Sequence, residues 1–361
     1  MKETPKQGTI TLTAVGDIMM GDSALCPGYG VGALIKKSGA MPLFEKAAPI
    51  LKKGDIIFGN LEAVLSNKGM NYQKPYSFLM KAPPEAIKGL QFAGFNVLSL
   101  ANNHILEHGE EAVAETKSIL SEYGIKYIGI DKNVVDPKQF VVSDFKGIKI
   151  VFLAYCLIPD KTAYSSTSDP QEICSELKSA KTIADLVVVS LHWGNEYIEK
   201  PSPFQIELAH RFIDSGAEVI LGHHPHVLQG IELYHHGLIA YSLGNFIFGM
   251  NYIQETRDSV ILECELSTKG VIDYKLNPLH IDDKYRPVPL EGQRKQRPLA
   301  RLEQLSSHFE QISESDTQEY EKLVTKLRKS ASRRMMLYFL SHIYRYPLPF
   351  TVYTIKEYLN K

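Results

Sequence analysis

Residues 186–226 read LVVVSLHWGNEYIEKPSPFQIELAHRFIDSGAEVILGHHPH, and the order of residue types in this stretch decides the fold class. Leu186–Leu191 is a continuous apolar run of strand length, of the kind found where a sheet is covered by helices on both faces. Ser202-Pro203-Phe204-Gln205 then supplies an N-cap, a proline at the first helical position and a capping-box glutamine. Ile206, Leu208, Ala209, Phe212 and Ile213 make one apolar helix face, and Gly216 closes the helix where a left-handed residue is needed. Val219–Leu221 resumes as a second strand. Both strands run directly into polar clusters, Leu191-His192-Trp193-Gly194 and Gly222-His223-His224-Pro225-His226.

The same sentence repeats outward, from Thr9 to about Pro287. Further apolar runs are Ile10–Ile18, Asp55–Gly59, Asn96–Leu100, Ile148–Ala154, Leu238–Ser242 and Val260–Leu266. Glu110–Tyr123 starts acidic, places Val113, Thr116, Leu120 and Tyr123 along one face and stops at Gly124, as a helix should. Strand, helix, strand recurs, which predicts a layered α/β domain. Late in this region Leu233–His236, Gly237–Ser242 and Ser259–Leu266 follow one another through turns, so antiparallel pairing is expected there. Glu291-Gly-Gln-Arg-Lys-Gln-Arg-Pro298 reads as a linker. The predicted organisation is a domain over residues 9–287, a linker over 288–298 and a helical C-terminal extension over 299–361.

Composition narrows the function. At 361 residues the chain holds about two domains of ~150 residues, or one large domain with an appendage. Forty basic against 41 acidic residues leave a net charge of -1, so no whole-molecule field draws it to nucleic acid. Cys26, Cys156, Cys174 and Cys264 form no C-x-x-C pair, which removes zinc ribbons and thioredoxin chemistry and predicts buried free thiols. The first residues lack the apolar stretch of a signal or anchor, and no run reaches the ~20 apolar residues of a spanning helix. As written, the chain is expected in the cytoplasm, or outside it only if an N-terminal anchor has been removed.

Five apolar runs end in small polar clusters: Gly16-Asp17, Gly59-Asn60-Leu61-Glu62, Ala101-Asn102-Asn103-His104, and the two around His192 and His223. Ligands of open α/β sheets bind at the carboxyl ends of strands, so these tips are expected to converge on one crevice. Asp, Glu, Asn and His converging there form a metal-ligand inventory. His224 and His226, two apart on a segment taken as extended, would point the same way and hold one ion or bridge two. Trp193 and Glu196 are placed to line the cleft, and Asn245 ends another strand beside it. Gly28-Tyr-Gly30-Val-Gly32 lacks the spacing and the lysine of a phosphate loop and reads as a flexible edge of the site.

These blocks, Ala-Val-Gly-Asp17, Gly-Asn60-Leu-Glu62, Asn102-Asn103-His104, Leu-His192-Trp193-Gly194-Asn-Glu196-Tyr, Gly-His-His-Pro-His226-Val and Tyr-Ser-Leu-Gly-Asn245-Phe, occur in the order found in a known family. The chain resembles the bacterial capsule-synthesis family typified by the poly-gamma-glutamate protein CapA, a branch of the calcineurin-like metallophosphoesterases. The resemblance implies a four-layer α-β-β-α sandwich with a two-metal site at the strand ends. It would place Asp17 on one metal, Asn103 on the other with His192 and His224 beside it, and His226 returning to the first. Glu62 would add a carboxylate, His104 would be the catalytic histidine, and Asn60, Asn102 and His223 would support the site or touch substrate.

Mixed nitrogen and oxygen ligands suit Mn, Fe or Zn, as one or two divalent ions. Two features depart from the general phosphoesterase pattern. Asp17 is followed by Ile18 and Met19 rather than by x-His, and Asn60 stands where a metal-bridging Asp is usual. The implied function is hydrolysis of a phosphoester, amide or ester bond in an anionic cell-surface polymer or its precursor, with capsule-assembly proteins as partners. The alternative is a non-catalytic assembly or export factor on the same fold. Finally, Lys326, Arg328, Lys329, Arg333 and Arg334 precede the apolar stretch Met335–Leu340. Such a stretch packs on its own domain or seats a helix peripherally at an anionic membrane.

Overall fold

The computed structural model describes residues 8–23, 25–68, 80–130, 141–307, 309 and 314–359. Every apolar run named above between Ile10 and Leu266 contributes a strand. In chain order the strands are β1 (Ile10–Ile18), β2 (Ile56–Leu61), β3 (Val64–Leu65), β4 (Lys81–Ala82), β5 (Val97–Ser99), β6 (Lys126–Ile128), β7 (Val141–Phe145) and β8 (Ile148–Cys156). They continue as β9 (Leu186–His192), β10 (Val219–His223), β11 (Ile231–Tyr234), β12 (Gly237–Ala240), β13 (Asn245–Ile247), β14 (Asp258–Ser267), β15 (Gly270–Ile281) and β16 (Pro287–Pro289).

One sheet has the order β16-β15-β14-β1-β2-β5-β6, with β13 beside the end of β1, and the second has the order β11-β12-β10-β9-β8-β7. The centre of each sheet is parallel: β1, β2, β5 and β6 in the first, β8, β9, β10 and β12 in the second. The expected late antiparallel pairing occurs as two hairpins, β11/β12 and β14/β15. They belong to different sheets, because β12 joins β10 while β14 crosses over to pair with β1.

Strand alternation builds the layers. Leu12 and Ala14 of β1 and Ile56 and Phe58 of β2 face Ile150 and Phe152 of β8 and Val188 of β9 across the gap between the sheets. Phe58 and Phe152 stack there with centroids 6.2 Å apart. The alternate residues face outward. Val15, Ile18 and Leu98 pack under Ile35, Leu90 and Leu120 from helices Val31–Ser38, Ile87–Ala93 and Glu110–Glu122. Val187, Val189 and Ile220 pack under Leu177 and Phe212 from helices Pro170–Lys181 and Pro203–Asp214. Helices outside two face-to-face sheets make a four-layer α-β-β-α sandwich.

Local signals explain why the second sheet's helices sit where they do. Ser202 Oγ accepts from the Gln205 backbone N–H at 3.1 Å and Gln205 Oε1 accepts from the Ser202 N–H at 3.0 Å, so the capping box closes before Pro203. Gly216 follows with φ +113°, a backbone state that any side chain would strain.

The stretch expected as a linker is structured. Gly292–Lys295 forms a 3-10 turn leading into helix Gln296–Leu305, whose Leu302 is buried in the core between the sheets. Helices Glu314–Ser341 and Leu348–Leu359 complete a helical C-terminal region. Among the described residues no helix is long and apolar enough to cross a membrane.

Candidate metal centre

Each sheet brings one half of the site to the carboxyl ends of its parallel strands. On β2, Ile56 and Phe58 face the inter-sheet gap, so Asn60 and then Glu62 face it too by the two-residue period. β1 needs a correction to do the same. Val15 and Ile18 both point to the outer core, and a register shift between Ala14 and Asp17 turns Asp17 inward beside Asn60. On the facing sheet, Leu186 and Val188 set the phase that aims His192 into the gap. Asn102, Asn103 and His104 follow the short strand β5.

His223 ends β10, and the segment after it is not extended. His224 has φ +94° and His226 φ +59°, left-handed positions for residues with a Cβ. The two imidazoles therefore meet the site through a bend, which replaces the extended-segment geometry expected from sequence. Each such position costs of order 1–3 kcal/mol and is held by its surroundings. Here the His224 backbone N–H donates to Asp17 Oδ2 at 3.2 Å, and the Tyr197 N–H donates to the Pro225 carbonyl at 2.8 Å.

Glu62 lies at the centre of the cluster. Its Oε1 is 3.7 Å from His104 Nε2, 3.8 Å from His192 Nε2 and 3.8 Å from His226 Nε2. Among the described residues neither Glu62 oxygen has a hydrogen-bond partner, although the side chain is completely buried, and His224 Nδ1 is buried without one as well. Two sets of donor atoms lie within 4.8 Å of one another, Glu62 with His224 and His226, and Asp17 with Glu62 and His192.

Glu62 is common to both sets, so its longer arm supplies the carboxylate that Asn60 does not. Two atoms each about 2.1 Å from one ion stand roughly 3–4 Å apart, which is the spacing found around Glu62. Burying a carboxylate without a donor is costly, and a cation among these groups would satisfy it. The residues present fit a divalent ion.

A ring of partners holds the donors. Asn60 Nδ2 donates to Asp17 Oδ1 at 2.8 Å and lies 3.3 Å from His192 Nδ1. His226 Nδ1 faces Asp17 Oδ2 at 3.2 Å and Asn245 Oδ1 at 3.0 Å, which leaves Nε2 for Glu62. His192 Nε2 is 2.9 Å from Asn103 Oδ1. Asn102 Nδ2 donates to the Leu61 carbonyl at 2.9 Å, while its Oδ1 accepts from the His104 N–H at 3.1 Å. His223 Nδ1 stands 3.4 Å from Asp17 Oδ1.

The electrostatics follow from burial and proximity. Burial opposes ionisation of Asp17, but His223 and His226 overcome it and hold its carboxyl well below the ordinary range. Burial, with the charge of Asp17, pushes Glu62 well above its ordinary value. Burial likewise pushes His192 well down and His224 down to about 4, so both rings are neutral. His226 behaves in the opposite way. Burial disfavours its cation, yet Glu62 and Asp17 raise it to about 10.

The structure brings Asp17, Asn60, Glu62, Asn102, Asn103, His104, His192, His223, His224, His226 and Asn245 into one constellation. Trp193 does not join it, which corrects the expectation that it lines the cleft. One residue beyond inward-facing His192, it falls on the outer face of the second sheet, 1% exposed, where it stacks on Tyr241 and donates to the Tyr241 carbonyl at 3.0 Å. Glu196 is half-buried on the adjacent loop and reaches the site through its charge, which raises the His224 proton affinity. The glycine-rich segment instead wraps Asp22, which accepts from the Gly28 and Ala33 N–H groups.

Sequence reasoning missed Glu107. Its Oε2 is 3.1 Å from His104 Nδ1, so it orients the one site histidine with substantial exposure, 22%. The spacing of three between His104 and Glu107 was the available signal.

A family model described as bacterial capsule synthesis protein PGA_cap matches residues 11–250. The capsule biosynthesis protein CapA of Bacillus anthracis is 36% identical over 287 residues, covering 76% of this chain and 68% of that protein. The PGA biosynthesis protein CapA of Bacillus subtilis (strain 168) is 31% identical over 302 residues, covering 80% and 77%. Among solved structures, a novel phosphatase from Mycoplasma pneumoniae is similar with a TM-score of 0.49 at 15% identity, covering 78% of this chain and 97% of that one. The matched span holds every strand that carries a donor of the buried cluster, and with it the chain belongs to the bacterial capsule synthesis PGA_cap family.

Proposed function

We propose that this protein is a metal-dependent hydrolase of capsule synthesis, acting on a phosphoester, amide or ester bond in an anionic cell-surface polymer such as poly-gamma-glutamate, or in its precursor. The observation that carries the reading is the buried Glu62 carboxylate, which has no hydrogen bond among the described residues and faces three imidazole nitrogens. Residues 9–287 are the unit that carries the site in this reading.

Asp17, Glu62, Asn103, His192, His224 and His226 would hold one or two ions of Mn, Fe or Zn. A bound ion of this kind supplies a nucleophilic water at neutral pH and offsets negative charge developing on the substrate. The chain's own residues do the rest. His104, partly open to solvent, presents Nε2 to the reacting bond, and Glu107 holds the opposite nitrogen so that the ring can deliver a proton to the leaving group. Asn60 and Asn245 fix Asp17 and His226, and the buried walls keep bulk water from the donors.

The test pairs metal content with hydrolysis of generic phosphodiesters, with and without Mn. His224→Ala is expected to lower metal content and activity together. His104→Ala is expected to keep the metal and lose about 10²–10⁴-fold in turnover. A protein that takes up no transition metal, and in which His224→Ala changes neither readout, rules the reading out.

A second reading is favoured by Asn60, whose amide already donates to Asp17 where a bridging carboxylate would bring charge. A non-catalytic factor that handles capsule polymer or its assembly proteins would tolerate that loss. Polymer binding that survives chelation supports this alternative, and turnover abolished by His104→Ala excludes it.

A further inference from the structure

The C-terminal helices form a surface that the metal centre does not use. From Lys322 to Lys356 the sequence holds eight Lys or Arg and no Asp or Glu, although the chain as a whole carries a net charge of -1. Of the twelve large apolar side chains exposed among the described residues, seven lie between Leu337 and Tyr353. Both features fall on the same pair of helices.

Their arrangement is ordered. On helix Glu314–Ser341, Lys326, Lys329, Arg333, Leu337 and Leu340 follow one another at intervals of three and four, so they share one stripe, and all are exposed. The stripe changes from basic to apolar as it nears the helix end, where Leu337 is 57% exposed. Helix Leu348–Leu359 mirrors it, with Leu348 (75%) and Val352 (45%) followed four residues later by exposed Lys356.

The connection presents Tyr344, 75% exposed, with the Arg345 guanidinium 5.5 Å from its ring. The opposite face is anchored to the body of the protein. Phe339, Tyr346 and Phe350 pack with Leu25, the Tyr346 hydroxyl donates to the Leu25 carbonyl at 2.9 Å, and Arg334 pairs with Glu255 at 2.7 Å. The outward face is therefore held in place, with an apolar middle and cationic flanks.

We propose that this face docks on an anionic lipid bilayer, its apolar middle entering the headgroup boundary while the lysines and arginines on either side meet lipid phosphates. Charge and chemistry select this occupant. A soluble polyanion would match the basic residues but offers nothing against which to bury seven apolar side chains. A second copy would bring the same positive charges against these. A lipid surface satisfies both parts at once.

Flotation of the full chain with vesicles tests the proposal. The protein is expected to float with phosphatidylcholine vesicles containing phosphatidylglycerol, to bind pure phosphatidylcholine at least tenfold more weakly, and to lose binding as salt rises. The double variant Tyr344→Asp, Leu348→Asp alters only exposed positions and is expected to lose flotation while its circular dichroism and metal content stay unchanged. Lys329→Glu with Arg333→Glu should weaken binding to the anionic vesicles without affecting metal content.

No flotation with the anionic vesicles at low salt overturns the proposal, as does flotation indifferent to the double variant. A self-association that the double variant dissolves, without vesicle binding, assigns the face to a second copy instead. Binding to soluble polyglutamate that equals vesicle binding and ignores the double variant assigns it to a polymer. Metal content and hydrolysis are measured on the same samples, so failure of docking is separate from failure of the hydrolase reading.

Discussion

Glu62 links the two halves of the cluster, because among the described donors it alone belongs to both groups of ligand atoms. Glu62→Gln preserves shape and removes the negative charge, so affinity for Mn is expected to fall at least tenfold, as titration calorimetry would show. The proton on His226 adds a pH dependence. Its value rises from 6.5 to about 10 in the folded protein, so it stays protonated through neutral pH when no ion is bound. An ion must displace that proton. Apparent Mn affinity should therefore rise with pH, about tenfold per unit for each proton released, up to about pH 10. Calorimetry in buffers of different ionisation enthalpy would count the protons, and a flat profile between pH 6 and 9 would contradict this assignment. At this scale the sequence displayed the types of donor but not their aim. His192 and Trp193 are neighbours with equal claim on a cleft, and only the phase of β9 separates them.

Two strands end in the same device. Gly16 precedes Asp17 and Gly222 precedes His223, and at each a Cβ would lie 1.9 Å from a backbone carbonyl of the crossing segment, Gly244 or Tyr241. Close passage of the backbone lets the Asp17 N–H donate to the Gly244 carbonyl at 2.9 Å and fixes the strand end that carries the ligand. Gly16→Ala is expected to cost about 3 kcal/mol or more, since rigid backbone has to move, and chemical denaturation would measure it. Strand runs and helix caps were legible because they depend on residues within a few positions. β15 was not read as a strand: its residues Gly270–Ile281 include Asp273, Lys275 and Asn277, and it is a strand because β14 pairs along its length. The bulge in β1 and the left-handed His224 and His226 were equally hidden, since each depends on what lies across the gap.

At the scale of the whole molecule the cluster joins the two sheets. Asp17, Asn60 and Glu62 come from one, His192, His224 and His226 from the other, above a core where Phe58 stacks on Phe152. An ion bound there favours the folded state by mass action, by about 2.7 kcal/mol at a hundredfold excess over Kd. Removing it with a chelator should lower Tm by several degrees and restoring Mn should recover it, while Glu62→Gln should show a smaller response; differential scanning calorimetry would decide. The α/β class, the recurring alternation of strand and helix and the inventory of polar strand ends were determined by the sequence alone, because hydrophobic period and capping chemistry act over short distances. The tertiary structure decided which of those polar residues meet: it turned Trp193 away, brought Glu62 to the centre in place of Asn60, and supplied Glu107 behind His104. Those outcomes depend on the phase of one sheet against another, which contacts between residues far apart in the chain determine.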